Sequence, residues 1–344
     1  MFLADMLITM ILITGSSGFI GGRIAAHLQS AAGGGHSLIK LSRKMSFSMP
    51  LMGSAASRKA APTHSLAVDL ADKRLLTAAL ESLASSGARP TAIVHCAAMP
   101  DLNSCQQNPE LARKVNDEAT GVLAGFARNN TLAMIYLSTD TVFDGSTPGS
   151  GPGGLYTETD SPNPINIYGQ TKLAGERHVA GLGPLGVSLR IALCYGRSLN
   201  AGVGDLQMAG RSASEKLLSA ARASADGLGA GGSARFKLFN DEYRTPVCVA
   251  DVCNAVAELL VRRDASLIHL GGPERVSRYE FGCALVDLAG IDRSVLMPTT
   301  SPAPTPDDKT HTPRPRDVSL SIALANKVLI QPPQPLAAHR DEIV

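Results

Sequence analysis

The sequence predicts an α/β protein: a doubly wound parallel sheet through most of the first 190 residues, then a smaller α/β region toward the C-terminus. Three observations predict it. Short apolar runs alternate with helix-forming stretches. A glycine triplet follows directly on the first run. Beyond the midpoint the periodicity weakens and the elements shorten.

The first run, "LITMILI" at Leu7–Ile13, is continuous and rich in isoleucine, as in a strand buried on both faces. Similar runs follow at Ser37–Leu41, Ala92–His95, Ala133–Leu137 and Val187–Ile191. Between them, Phe19–Gln29, Lys73–Ser85, Pro109–Arg128 and Tyr168–Ala180 read as helices. In the second half, Ser212–Ala223, Ala250–Arg262, Arg278–Leu288 and Leu320–Val328 read as helices. Phe236–Phe239, Val247–Val249 and Leu267–Leu270 read as short strands. Residues 1–190 are expected to form the first domain, with 245–262 returning to it, and 191–344 mainly the second region. Lys44–Ser65 has no period and is expected to be a mobile loop. Asp144–Tyr156 and Asp226–Arg235 are glycine-rich, and Met297–Arg316 is too proline-rich for a helix interior.

Composition excludes several classes of function. With 344 residues, 44% hydrophobic and 18% charged, the chain is an ordinary globular one. A net charge of +2 gives no electrostatic reason to bind nucleic acid, and 4% aromatics without tryptophan offers no base-stacking platform. The opening "MFLADMLITMILITG" is short for a membrane span and is interrupted by Asp5. It runs straight into a glycine motif that a mature fold needs, which argues against a signal peptide. A cytoplasmic protein without a membrane partner is expected. The six cysteines form no CxxC pair, so buried reduced thiols are expected and no metal site.

After the first run comes "TGSSGFIGG", with Thr14 ahead of Gly15, Gly18 and Gly21. Gly15 permits the tight turn, Gly18 lets a phosphate approach the backbone at a helix N-terminus, and Gly21 lets that helix pack on the strand. Between strand and helix, this triplet marks a Rossmann-type dinucleotide site rather than a plain turn. The second strand ends "LIKLSRK", without the acid that usually holds an NAD ribose. Arg43, next to Ser42, can instead pair with a 2′-phosphate, so NADP is expected over NAD. Alternatively, Arg43 and Lys44 merely solvate the following loop. Asp69, beside Leu70 after the third strand, has two readings: a contact to adenine or a helix-capping carboxylate.

Tyr168 and Lys172 stand four apart on one helix face. A nearby ammonium lowers a phenol's pKa, and such a phenol can exchange a proton with a carbonyl oxygen. Lys172 can also reach the nicotinamide ribose. YxxxK is common by chance, but here it lies one α/β unit beyond "YLSTDTVFDG". There Ser138 and Thr139 end a strand and can polarise a carbonyl.

These motifs resemble the extended short-chain dehydrogenase/reductase superfamily, which uses TGxxGxxG. "STDTVFDG" with "YGQTKLAGE" is similar to the dTDP-4-dehydrorhamnose reductase family, whose pattern is close to STDYVFDG…YGxTKxxGE. That family places tyrosine where this chain has Thr141. "HCAAMPDLNSCQQNPELARKVN", "DEYRTPVCVADV" and "RPRDVSL" resemble further segments of it. The resemblance implies a catalytic set of Thr139, Tyr168 and Lys172. It also implies cofactor contacts from Thr14, Gly15, Ser17, Gly18, Phe19, Ile20, Gly21, Ser42, Arg43, Asp69, Leu70, Cys96, Ala97, Ala98, Asn116, Ser138, Tyr168 and Lys172.

Two functions follow from the resemblance. One is an NADP-dependent reductase of a 4-keto nucleotide sugar, with a nucleotide-sugar epimerase as a close variant. The other is a regulatory beta subunit of methionine adenosyltransferase, which keeps the fold, binds NADP and acts through the catalytic subunit. "HCAA", "LRIALCYG", "YRTP" and "RPR" lean toward that branch. A homodimer is compatible with either.

Overall fold

The computed structural model describes residues 10–30, 32–43, 63–145, 154–199, 212–229, 235–302 and 312–344. Its strands are β1 Met10–Thr14, β2 Ser37–Ser42, β3 Thr63–Ala67, β4 Ala92–His95, β5 Ala133–Thr139, β6 Gly186–Ile191, β7 Cys194–Tyr195, β8 Phe236–Phe239, β9 Tyr243–Arg244, β10 Val247–Cys248, β11 Leu267–Leu270, β12 Val276–Ser277 and β13 Leu296–Thr299. Its α-helices are α1 Phe19–Gln29, α2 Lys73–Ser85, α3 Leu102–Gln107, α4 Pro109–Arg113, α5 Ala119–Asn129, α6 Ile167–Ala180, α7 Ala213–Gly229, α8 Val249–Val261, α9 Arg278–Leu288 and α10 Ala323–Val328.

Seven strands form one parallel sheet in the order β11-β6-β5-β4-β1-β2-β3. Strand side chains alternate between faces, so β1 feeds two cores at once. Ile11 and Ile13 pack with Ile24 and Leu28 of α1 and Val252, Val256 and Leu259 of α8. Leu12 packs with Leu76 and Leu80 of α2, Leu123 of α5 and Val179 of α6. A third core joins α7, β8, α9 and β13 through Leu217, Leu238, Phe281 and Leu296. The strand order reverses between β1 and β4, which opens a crevice beyond their carboxyl ends. Among the described residues no helix is long and apolar enough to cross a membrane.

The chain differs from the sequence reading in several segments. Strand β3 begins inside the stretch read as a loop; residues 44–62 of that stretch lie outside the described residues. Thr63–Ala67 is an edge strand with mostly exposed side chains, so no apolar run betrays it. Second, the expected helix Pro109–Arg128 is interrupted by a π-helical turn at Lys114–Glu118, and α3 precedes it. The wider turn buries Asn116, whose side chain braces the preceding loop.

Third, Val249 opens α8 instead of closing a strand, and Leu320 pairs with Tyr156 in a parallel bridge, so α10 starts only at Ala323. Fourth, α7 continues through Gly229, into the glycine-rich Asp226–Arg235; residues 230–234 lie outside the described residues. In the other glycine-rich stretch residues 146–153 lie outside them, and in the proline-rich one residues 303–311.

Candidate active site

The glycine loop sits at the crevice. Gly15 has φ +71°, and a side chain there would place its Cβ 2.7 Å from Ala97 Cα. A Cβ at Gly21 would lie 2.3 Å from the Gly15 carbonyl oxygen, so α1 approaches β1 only because both are glycines. Gly18 is the N-cap of α1 and supplies no side-chain cap, which leaves the first amides of the helix pointing into the crevice mouth. Ser17 and Gly18 are exposed; Phe19 and Ile20 pack against the first core. The hydroxyl of Ser16, which the sequence reading passed over, is buried without a partner among the described residues. Uncapped amides, a backbone bare of side chains and an orphaned hydroxyl are the local chemistry that a nucleotide phosphate requires.

Thr14 is committed inward. Its hydroxyl lies 2.6 Å from His95 Nδ1 and accepts the Ala97 amide, tying the ends of β1 and β4 together. His95 Nε2 meets Thr120 at 3.0 Å, and burial pushes the imidazole down to about 3. The histidine of "HCAA" is thus a neutral interior linker. Cys96, Ala97 and Ala98 follow it, partly buried, beside the glycine loop. Asn116 accepts the Met99 amide at 2.8 Å and donates to Met99 O and to Thr171, bracing this loop against α6.

Arg43 is exposed at the end of β2, one strand from the glycine loop, and Ser42 is buried before it. Lys44 lies outside the described residues. Asp69 is exposed, and its Oδ1 accepts the Ala71 amide at 3.0 Å, closing a turn ahead of α2. The N-cap of α2 is Asp72 rather than Asp69. Leu70 is buried beneath.

The other wall is formed by β5 and α6. Asn166 caps α6 and starts the helix two residues before Tyr168. Thr139 ends β5, accepts the Thr141 amide and lies 3.0 Å from the Thr141 hydroxyl. Tyr168 is partly buried, and Thr139 lies near enough to favour the ionised form of its phenol. Burial, and next the charge of Asp140, push that phenol well above its ordinary value. Lys172 is buried, and its Nζ donates to Leu137 O at 2.6 Å. Burial lowers the amine to about 7, and Glu176 works against that shift.

Two expectations are corrected here. Lys172 was to depress the phenol of Tyr168, but it turns down to strand β5 while burial and Asp140 raise the phenol. Ser138 was to face a carbonyl, but its hydroxyl donates to Glu176, which is itself paired with Arg190. The strand pleat sends Ser138 to one face of the sheet and leaves Thr139 at its edge.

The sequence reading also missed a group of charges. Asp140 is buried, with its Oδ2 3.5 Å from Arg244 Nε. Arg278, at the start of α9, is pulled below its ordinary value by burial and then by Arg244, with Arg314 adding to the effect. Arg244 itself donates to the carbonyls of Tyr243 and Pro315. Arg244 and Arg278, from distant segments, both favour the charged form of Asp140, so positive charge gathers around that carboxylate. "YRTP" and "RPR" were visible as motifs, but their meeting with Arg278 was not.

Fold and site define a nucleotide-binding α/β protein of the extended short-chain dehydrogenase/reductase class. The chain belongs to the RmlD substrate binding domain family, whose model matches residues 9–343. It is 32% identical over 219 residues to a probable low-salt glycan biosynthesis reductase, Agl14, of Haloferax volcanii, covering 62% of this chain and 66% of that protein. It is 30% identical over 259 residues to the methionine adenosyltransferase 2 subunit beta of Xenopus tropicalis, covering 74% of this chain and 70% of that one. The chain thus spans about two thirds of the length of these relatives. In fold it is similar to the dTDP-4-dehydrorhamnose reductase of Bacillus anthracis solved in complex with NADP. The TM-score is 0.69 at 18% identity, over 99% of this chain and 98% of that one.

Proposed function

We propose that this protein is an NADP-dependent reductase of a 4-keto nucleotide sugar. The observation that carries the reading is Tyr168 near Thr139 at the carboxyl end of β5, in a sheet whose glycine loop leaves the first amides of α1 without a side-chain cap. The nicotinamide supplies the hydride. Gly15, Ser16, Gly18 and the first amides of α1 would hold its diphosphate, and Arg43 the 2′-phosphate. Reduction of a ketone requires a proton at the new alkoxide. A phenol raised above its ordinary value is fully protonated at neutral pH and can give one. Thr139 orients the carbonyl oxygen for that transfer. The arginines around Asp140 suit a doubly charged nucleotide diphosphate. Residues 191–344 then supply most of the substrate-binding region.

A second reading, a non-catalytic regulatory subunit of methionine adenosyltransferase, is favoured by the similarity to the Xenopus beta subunit. One experiment separates the two. Purified protein is mixed with NADPH and a dTDP-4-keto-sugar, and loss of NADPH is followed. In parallel, tagged protein is tested for stable association with a methionine adenosyltransferase catalytic subunit. NADPH consumption by a protein that forms no such complex supports the reductase. A stable complex with no turnover overturns it.

A further inference from the structure

Lys172 lies in a seat built by residues that no site reading assigns. Its ammonium is 3.9 Å from the centroid of the Tyr136 ring and donates to the carbonyl of the next residue, Leu137. Tyr136 is wholly buried and cannot swing away. Its hydroxyl donates to the Lys172 carbonyl at 3.3 Å, so one side chain holds both the backbone and the charge of the lysine. The fit is tight: a Cβ on Gly175 would come 2.3 Å from that hydroxyl oxygen, so only glycine allows the approach. Beneath the ring, His95 stacks at 5.4 Å with an interplanar angle of 27°, and Thr14 and Thr120 pin His95. A continuous stack therefore runs from the head of the glycine loop to the lysine.

We propose that Tyr136 is a positioning residue for Lys172: its ring face stabilises the buried ammonium and fixes the amine against β5. An aromatic face attracts a cation through its quadrupole, and more strongly away from water. The groups that face this amine are few. Glu176 follows it by one helical turn and stabilises its charge, with Arg190 behind the carboxylate. His95 at the end of β4 and Cys96 just after it act on the same site, and a protonated His95 would repel the lysine. Tyr168 stands one turn earlier on α6. Beside Glu176 and the Leu137 carbonyl, the ring face is the third support of the cationic form. The inference takes its functional meaning from the reductase reading, in which Lys172 meets the nicotinamide ribose. The seat itself can be tested without turnover.

The test titrates the Lys172 amine by NMR in full-length protein carrying ¹³C at lysine Cε, with Lys172→Met identifying its resonance. Tyr136→Phe keeps the ring and should leave the midpoint near that of the wild type. Phenylalanines bearing one, two and three fluorines at position 136 keep the shape while draining the ring's negative face. They should lower the midpoint stepwise, reaching about a tenfold rise in the acid dissociation constant, which is one pKa unit. NADPH affinity at pH 7 should fall in the same order. Tyr136→Leu adds the limit of no ring, but the fluorinated series decides the matter even where that variant fails to fold. A midpoint that stays fixed across the series overturns the proposal, whatever the enzyme reduces. A stepwise midpoint in a protein that reduces no keto-sugar keeps the seat and rejects the reductase.

Discussion

Arg23, in the first helix, is clasped by Glu342, the third residue from the end of the sequence. Two guanidinium nitrogens meet the two carboxylate oxygens, one at 2.9 Å. The same carboxylate accepts the Arg197 amide, and Arg23 also donates to Arg197 O. The C-terminal turn therefore straps α1, whose N-terminus heads the nucleotide crevice, to the segment after β7. Both side chains are about one-fifth exposed, so the pair is neither freely solvated nor deeply buried. Glu342→Gln should cost about 1 kcal/mol of stability in urea denaturation. An unchanged midpoint would show that the strap is passive.

Stability should fall on both sides of neutrality. Burial holds His95 at about 3 and His269 at about 4, below the ordinary value of 6.5. Their contribution is whole above 6.5 and is lost as pH falls toward 4, at about 1.4 kcal/mol per pH unit for each histidine. His339 has the opposite sign. Asp251, 2.8 Å away, raises it to about 10, so its contribution is whole below 6.5 and fades as pH rises toward 10. Urea midpoints from pH 4 to 10 check both limbs. His269→Gln should flatten the acid limb and Asp251→Asn the alkaline one; slopes equal to wild type would contradict the assignments.

Tyr168→Phe should lower ketone reduction by at least about a hundredfold while NADPH affinity changes little. Stopped-flow single turnovers give the first quantity and fluorescence titration the second. Equal rates would remove the phenol from the proton transfer.

Arg43 stands exposed at the end of β2, and the proposed reductase uses it to hold a 2′-phosphate. Wild-type protein should bind NADPH more tightly than NADH, and Arg43→Ala should erase about tenfold of that preference. Calorimetry with both nucleotides measures it. A preference that survives the substitution assigns the discrimination to other residues.

The glycines divide by their surroundings. Gly21→Ala forces a Cβ onto the Gly15 carbonyl and should cost about 2 kcal/mol or more and weaken NADPH binding. Gly125, in the interior of α5, has open space around it, so Gly125→Ala should add about 0.5–1 kcal/mol. Thermal melts of the two variants should shift in opposite directions.

By itself the sequence determined the elements whose signal is local. Helices α1 and α2 and strand β4 start and end where the reading placed them, because capping, apolar period and run length are properties of neighbouring residues. It also determined the glycine loop, since φ +71° at Gly15 is a demand on one residue. What only the tertiary structure decided are meetings between residues far apart in the chain. Strand β3 exists because β2 offers it an edge. The orientation of Lys172 depends on the ring of Tyr136 beneath it, on another element. Arg244, Arg278 and Arg314 become one electrostatic feature only when β9, α9 and the C-terminal segment fold onto β5. Periodicity reports which face of an element is buried; it carries no information on which side chain waits on the other side.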